Sequence, residues 1–346
     1  MSDAPSTLPL RAWVDAWEDA NHTFYTHHEP EQHFRTSIDA GTATARRIAT
    51  LLALTPEHPH EHPHEHSRPA PDSSLPRCIV DIGSGSGALL TQLAALVDDE
   101  ITLIGVDVRP RPDDLPATIQ WRQVRVTRDV EDITGMDGRI TGLVIAHEFL
   151  DDVACPVIEL DDDLRPRIVQ VEAATGAEGL GPDLADPAAE ALLGGISPDE
   201  ARAWLDRWWP ATKPLARREV GLPRDLLWRR LTRILASGHA IAIDYAHRLD
   251  DRRSGLWDGG TVKGFVDGAP CRPRPDGSVN ITSHVALDSC ASPHATVRSQ
   301  FDVLSTSAVG SHSLASWPPD LGSFDWLIEP CTPTPATPAL SETMVG

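Results

Sequence analysis

The chain has 346 residues, enough for about two domains or one large domain with insertions. It carries 30 Lys and Arg against 51 Asp and Glu, a net charge of −21 with histidine neutral. A surface that acidic repels phosphate backbones and anionic headgroups, which argues against nucleic-acid and membrane partners. No apolar run reaches the roughly 18 to 20 residues of a membrane span, and the segment Met1 to Trp13 lacks the basic and apolar regions of a signal peptide. The five cysteines are widely spaced without a CxxC pair, which suits reduced thiols in a cytoplasm and offers no metal site.

Leu10, Trp13, Val14 and Trp17 recur at helical spacing, the polar stretch from Asn21 to Gln32 interrupts the pattern, and a second helix is predicted from Ile38 to Leu54. Residues 1–55 are therefore expected to form an N-terminal helical lid. Residues 56–76 contain EHPHEHPHEHSRPAPDSS, where repeated prolines forbid helix or central strand and predict a surface linker. The histidines between 58 and 66 have only the incidental metal affinity of any His tract.

Across residues 77–154 the pattern alternates. Strands are predicted at Cys78 to Ile82, Thr102 to Val108, Ile119 to Val126 and Gly142 to Ala146, with a helix from Gly87 to Val97. Continuous apolar strands alternating with helices imply right-handed βαβ units on a mostly parallel sheet covered on both faces, an α/β Rossmann-like fold. Residues 155–222 break the rhythm. A hairpin (Val157 to Leu160, Ile168 to Val171) and a helix from Pro198 to Trp208, capped by Ser197, predict an inserted α+β substrate module. Trp204, Trp208 and Trp209 read as core of that module. Residues 223–304 resume the core, with a helix from Pro223 to Leu235 and a strand from Ala240 to Ile243; His239 and His247 read as structural. From 305 to 346 the chain is rich in Ser, Pro and Thr and is expected to be a largely disordered tail.

The sharpest local signal is CIVDIGSGSGALL, residues 78–90: a strand, then Gly83, Ser84, Gly85 and Gly87, then a helix. Glycines there let the backbone turn sharply and approach a ligand closely, with free amides at the helix start. The loop also fits a loose dinucleotide fingerprint. Asp81, two residues before the first glycine, favours a cofactor with an ammonium group over a pyrophosphate, pointing to S-adenosylmethionine rather than NAD. Asp107, at the end of the next strand, is placed to accept hydrogen bonds from ribose hydroxyls in either class. Asp129 is expected to face the adenine. In GLVIAHEFLDD, His147, Glu148 and Asp151 fall at the carboxyl end of a strand, where open α/β sheets bind ligands. Carboxylates there can orient a cationic nucleophile and help remove its proton.

Six segments between about residues 9 and 288 together resemble the MidA-like (DUF185) methyltransferases, which include the mitochondrial complex I assembly methyltransferase. Phe24-Tyr25-Thr26 and His33-Phe34-Arg35-Thr36-Ser37 are similar to its early Gly-Tyr-Tyr and Gly-Asp-Phe-x-Thr-Ser elements. Ala146-His147-Glu148 with Asp151 resembles Ala-Asn-Glu and its following Asp, and Ile243-Asp244-Tyr245-Ala246 resembles Ile-Asp-Tyr-Gly. Gly260 to Phe265 and Asn280 to Val285 match two later motifs. The resemblance implies a class I methyltransferase fold, S-adenosylmethionine as cofactor and a protein acceptor, with arginine as first choice. It also implies that Thr36, Ser37, Asp244, Tyr245 and His284 gather on the substrate side. Several departures fall on that side; in all, Gly-Asp becomes Gln32-His33, Pro-Glu becomes Ile38-Asp39, Asn becomes His147, Arg becomes Lys263 and Asp becomes Asn280. A SAM-binding assembly factor with weak catalysis is the main alternative, and an NAD-dependent oxidoreductase the lesser one.

Overall fold

The computed structural model describes residues 10–28, 42–53, 74–126, 140–211, 213–305 and 324–331. Thr36, Ser37, Asp129 and the histidines at 58–66 lie outside the described residues. In chain order, β1 (Arg11–Ala12) leads into α1 (Trp13–His27) and α2 (Ala43–Ala53). The core then begins with β2 (Arg77–Ile82), α3 (Ala88–Ala94), β3 (Thr102–Asp107), β4 (Ile119–Gln123) and β5 (Ile140–His147). An antiparallel segment follows: β6 (Val157–Leu160), β7 (Pro166–Val171), β8 (Glu178–Asp183), α4 (Pro198–Trp208) and β9 (Arg217–Glu219). The chain returns through α5 (Leu222–Thr232), β10 (Leu235–Tyr245), α6 (Leu249–Arg253), β11 (Lys263–Val266), β12 (Ala269–Cys271) and β13 (Asn280–Thr282). It closes with α7 (Leu287–Cys290), β14 (Thr296–Ser299), α8 (Gln300–Ser305) and β15 (Phe324–Cys331).

The central sheet has seven strands in the order β14-β15-β10-β5-β2-β3-β4. β10, β5, β2, β3 and β4 are parallel neighbours, and β15 runs antiparallel to both β10 and β14. Alternation along each strand sends side chains to opposite faces. Ile79, Leu143 and Ile241 pack with Ile48 of α2, Leu90 of α3 and Leu304 of α8. Their neighbours Val80, Val144 and Ala242 pack with Trp228 of α5 and Leu287 of α7. Burial on both faces explains why these strands read as unbroken apolar runs. At the strand starts, Gly142 (φ 122°) and Gly238 (φ 131°) allow tight stacking: a Cβ at 238 would stand 1.9 Å from the carbonyl oxygen of Gly142.

Two departures from the sequence reading have physical causes. First, α1 does not break at Asn21 but continues to His27. Asn21 exchanges two hydrogen bonds with the backbone of Ile281, donating at 2.8 Å and accepting at 3.0 Å, so a polar residue on the buried face is satisfied like a strand neighbour. Phe24 then buries the last turn. Second, the tail assigned from residue 305 contains β15, a strand inside the sheet. Its apolar residues Phe324, Trp326 and Leu327 are buried, and Pro330 is tolerated because β14 pairs only as far as Ile328, leaving one side of the strand end open. The turn after β5 is tight: Glu148 adopts φ 49° and its amide donates to the Ile243 carbonyl at 2.8 Å.

The antiparallel segment forms its own sheet, β1-β7-β6-β9 with β8 on β7. Ser197 and Glu200 form a capping box at the start of α4. Trp204 of α4 donates its indole N–H to Asp225 of α5 at 2.9 Å, and Ser289 of α7 donates to the same carboxylate at 2.6 Å, which fastens this segment to the core. α1 packs through Trp13 and Trp17 against Val169, Val171 and Ile281, with the Trp17 indole on the Ile281 carbonyl at 2.6 Å. That docking brings the end of α1 to the loop after β5. None of the described helices is long and apolar enough to cross a membrane.

Candidate active site

The glycine loop joins β2 to α3 at the carboxyl edge of the parallel strands. Gly83, Gly85 and Gly87 have φ of 71°, 61° and 75°, all in the left-handed region that side chains resist. The amides of Gly83 and Ser84 donate to the Val106 carbonyl at 2.9 and 3.1 Å, which ties the loop to the end of β3. The Asp107 carboxylate accepts from the Gly85 amide at 2.8 Å and the Arg109 amide at 2.9 Å, so the loop and the acid are set relative to each other. A Cβ at Gly83 would meet the Phe149 ring at 2.7 Å; that ring comes from the turn after β5 and covers the first glycine.

Asp81 is only 3% exposed and accepts a hydrogen bond from the Ser84 hydroxyl at 2.9 Å. Burial pushes its carboxyl up to about 7, with the Ser84 bond working against the shift and Asp107 adding to it. A carboxylate in that condition is matched to a cation brought beside it.

On the neighbouring strand, β5 ends in His147, and Glu148 follows it. His147 is buried and held neutral, its pKa driven down to about 4 by desolvation; its Nε2 lies 3.4 Å from a Glu148 oxygen. The pair is thus an imidazole beside a carboxylate, not two ions. Asp151 is buried, pushed up to about 6 by burial against the pull of Arg224, and its Oδ1 finds no hydrogen-bond partner among the described residues.

Asp244, at the end of β10, is fully buried. Its Oδ2 accepts from the amides of Leu150 at 2.9 Å and Asp151 at 3.2 Å, and its Oδ1 from the Tyr245 amide at 2.9 Å. It holds the turn that carries Glu148 and Asp151. Asp152, beside them, accepts from the Tyr25 hydroxyl of α1 and from Asn21 at 3.4 Å. Burial raises the Asp152 and Asp244 carboxyls well above the ordinary range, and neighbouring Asp151 adds to both. One guanidinium faces this group. Arg224, 2% exposed, donates to the carbonyls of Asp151 (2.9 Å), Val153 (3.0 Å) and His284 (3.0 Å) and to the Ser283 hydroxyl (2.9 Å). Tyr245 packs on Phe324 with centroids 4.2 Å apart, and its ring stands 6.2 Å from that of His284.

The edge therefore holds a glycine loop with two acids on one side and Glu148, Asp151 and Asp152 on the other, under an N-terminal helix. Residues 76–292, well over half the chain, match the model of a family described as "Putative S-adenosyl-L-methionine-dependent methyltransferase". The chain belongs to that family. Among solved structures, a COG1565 superfamily member from Burkholderia thailandensis bound to S-adenosyl-homocysteine is 16% identical, covers 92% of this chain and 87% of its own, and has a TM-score of 0.61. A second COG1565 superfamily structure from the same organism is 18% identical at the same coverage, with a TM-score of 0.57. At these identities the likeness concerns the fold. A search of curated sequences finds no match.

The methyltransferase is thus of the MidA-like group, and its cofactor is S-adenosylmethionine rather than NAD. The residues present suit that cofactor: a cradle whose backbone only glycine adopts readily, a carboxyl at Asp81 that an ammonium could pair with, and an acid, Asp107, at the end of the next strand, the position from which sheets of this kind can offer acceptors to ribose hydroxyls. Among the described residues no group of three or more His, Cys, Asp or Glu is placed to hold a metal.

Two outcomes are expected for cofactor binding. Asp81 holds a proton between its ordinary 3.8 and about 7 that the unfolded chain releases, so it lowers the stability of the ligand-free protein as pH rises through that window. Binding of an ammonium-bearing ligand runs the other way. Calorimetry should show S-adenosylhomocysteine binding more tightly at about pH 8 than at about pH 6, with Asp81→Asn flattening the difference. Gly83→Ala adds a side chain at φ 71° against Phe149 and is expected to weaken the same binding about tenfold, from roughly 1 to 2 kcal/mol of backbone cost.

Sequence reasoning singled out Asp81, Asp107, Glu148 and Asp151, which stand along this edge, while Asp244 lies beneath the turn with both oxygens on amides. It missed Asp152, although that residue is the next letter in the same motif. It also missed Arg224, which has no local signal because its partners lie about 60 to 70 residues away on either side.

Proposed function

We propose that this methyltransferase acts on a protein side chain, with arginine as the nucleophile. The observation that carries the reading is the carboxylate group at the end of β5: Glu148 on a left-handed backbone beside a neutral histidine, with the unpartnered Oδ1 of Asp151 three residues on. A guanidinium offers a planar fork that two carboxylates can hold, which turns one nitrogen toward the cleft. S-adenosylmethionine supplies an electrophilic methyl group. Glu148 then accepts the proton that the acceptor nitrogen loses, and Asp151 holds the remaining guanidinium N–H groups. His147, held neutral by burial, puts no fixed positive charge beside Glu148 to compete with the incoming cation.

The acidic surface favours the approach of a basic segment. The five cysteines are all free thiols, which supports the reading of a reducing, cytoplasmic location. The test is transfer from methyl-labelled S-adenosylmethionine to lysate proteins and to arginine-containing peptides, read by mass spectrometry. Label on arginine nitrogen is the expected result. Label confined to small molecules, or to another side chain, overturns the choice of acceptor.

A further inference from the structure

Beyond Tyr245, toward the antiparallel segment, four rings form one cluster. His247 stands at the centre, with centroids 4.7 Å from Trp209, 5.9 Å from Trp257 and 6.3 Å from His284, and Trp257 lies 4.8 Å from His284. Arg218 of β9 joins them, donating through Nη1 to the Trp209 carbonyl at 3.3 Å.

The polar atoms of this cluster are buried and unsatisfied. Trp209 Nε1, Trp257 Nε1, Arg218 Nε, His247 Nε2 and His284 Nδ1 have no hydrogen-bond partner among the described residues. The indoles of Trp13, Trp17, Trp121, Trp204, Trp228 and Trp326 all donate to a carbonyl or a side-chain oxygen, so the two orphans stand apart from these six described indoles. The tautomer of His247 follows from its neighbour. Arg252 Nη1 lies 2.8 Å from His247 Nδ1, and a guanidinium can only donate, so Nδ1 accepts and the proton of the neutral ring sits on Nε2. Burial, with Arg252 next in importance, keeps the ring neutral. The His284 carbonyl lies near enough to favour a proton on His247 slightly but does not complete a hydrogen bond.

Four of the five orphans are therefore N–H donors. Leaving each one unpaired costs about 1 to 3 kcal/mol, so a cluster of them is a prepared site for acceptor oxygens. Among the described residues no carboxylate lies within ion-pair distance of Arg218, whose pKa burial lowers to about 10. Aromatic walls suit a flat group, and buried N–H donors with an arginine suit an anion.

We propose that this cluster is a carboxylate-binding subsite beside the acceptor cleft, and that it seats an anionic group of the acceptor itself. Its assignment to the acceptor rests on the methyl-transfer reading of the neighbouring cleft; the affinity for a carboxylate does not. The subsite would give the enzyme a second point of recognition, reached along the rings of Tyr245 and His284 from the carboxylates at the end of β5.

The test is ¹⁵N NMR of the full chain, following the indole N–H signals of Trp209 and Trp257 during titration with acetate, against chloride at matched ionic strength and acetamide as the neutral control. Saturable shifts of both indoles with acetate alone are expected, with affinity, read at Trp209, about tenfold weaker in Trp257→Phe, which keeps an aromatic side chain and removes one donor. A pair of short arginine peptides, one ending in a free carboxylate and one amidated, then identifies the source. Shifts that require the free carboxylate place the acceptor in the subsite, whereas acetate binding with no difference between the peptides overturns its assignment to the acceptor. Absence of any saturable acetate shift, or equal affinity in Trp257→Phe, overturns the subsite. Acetate binding together with failure to methylate arginine leaves the subsite standing and removes only the choice of nucleophile.

Discussion

Glu148→Gln is expected to lower kcat for methyl transfer by about 10²- to 10⁴-fold, the usual worth of a positioned proton acceptor, while S-adenosylhomocysteine binding stays close to that of the parent protein. The substitution is nearly isosteric. It keeps the side chain beside His147 and leaves the backbone bond to Ile243 untouched, so the turn after β5 is preserved. What it removes is the ability to take a proton and to hold a cation by charge. Glu148→Gly makes a useful companion, because glycine adopts φ 49° without the strain that glutamate bears there. If Glu148 served only the turn, the glycine variant would be stable and active; the expectation is a stable protein without activity. Single-turnover rates with a saturating acceptor and calorimetry with S-adenosylhomocysteine separate the two losses.

The second large effect concerns stability. Arg224→Met is expected to cost about 3 to 5 kcal/mol, because it strips a buried guanidinium from a group of buried carboxyls and leaves several carbonyls without their donor. Asp151, Asp152 and Asp244 all have carboxyls raised by burial, and Arg224 opposes the rise in each. The sign with pH follows. Above about 6 Asp151 is ionised and needs its cation, whereas at lower pH it is protonated and the loss is smaller. Denaturant midpoints should therefore separate parent and variant more at about pH 8 than at about pH 5. Arg224→Lys keeps the charge but cannot reach the spread of carbonyls that the planar fork serves, so an intermediate loss is expected.

These two residues also mark what could be read from the sequence and what could not. Glu148 sits at the end of an apolar run, where strand periodicity and sheet chemistry place a ligand contact, so its position was legible. The same holds for Asp81 and Asp107, each fixed by a strand end and a glycine loop within a few residues. Arg224 reads as one of three arginines in a short helix. Its importance comes from tertiary packing, as the start of α5 meets the loops after β5 and β13, and no local pattern carries that.

The fold shows the same division. Buried parallel strands announced themselves through continuous apolar runs, and Ser197 with Pro198 marked the start of α4. β15 was hidden because its short apolar stretch lies in Ser- and Pro-rich surroundings and its pairing with β10 joins positions some 80 to 90 residues apart. Asn21 misled the helix reading for a related reason: its amide is satisfied by Ile281, far along the chain. Trp209 and His247 looked like ordinary packing residues, and only the unsatisfied nitrogens of their rings set them apart.

The central claim is that the glycine loop and the carboxylates after β5 face each other across one cleft. A crystal structure of the protein with S-adenosylhomocysteine tests it most directly. The predicted result places ribose hydroxyls on Asp107, the ammonium on Asp81 directly or through one water, and the sulfur facing the space in front of Glu148. A ligand bound elsewhere, or one whose sulfur points away from Glu148 and Asp151, would contradict the account.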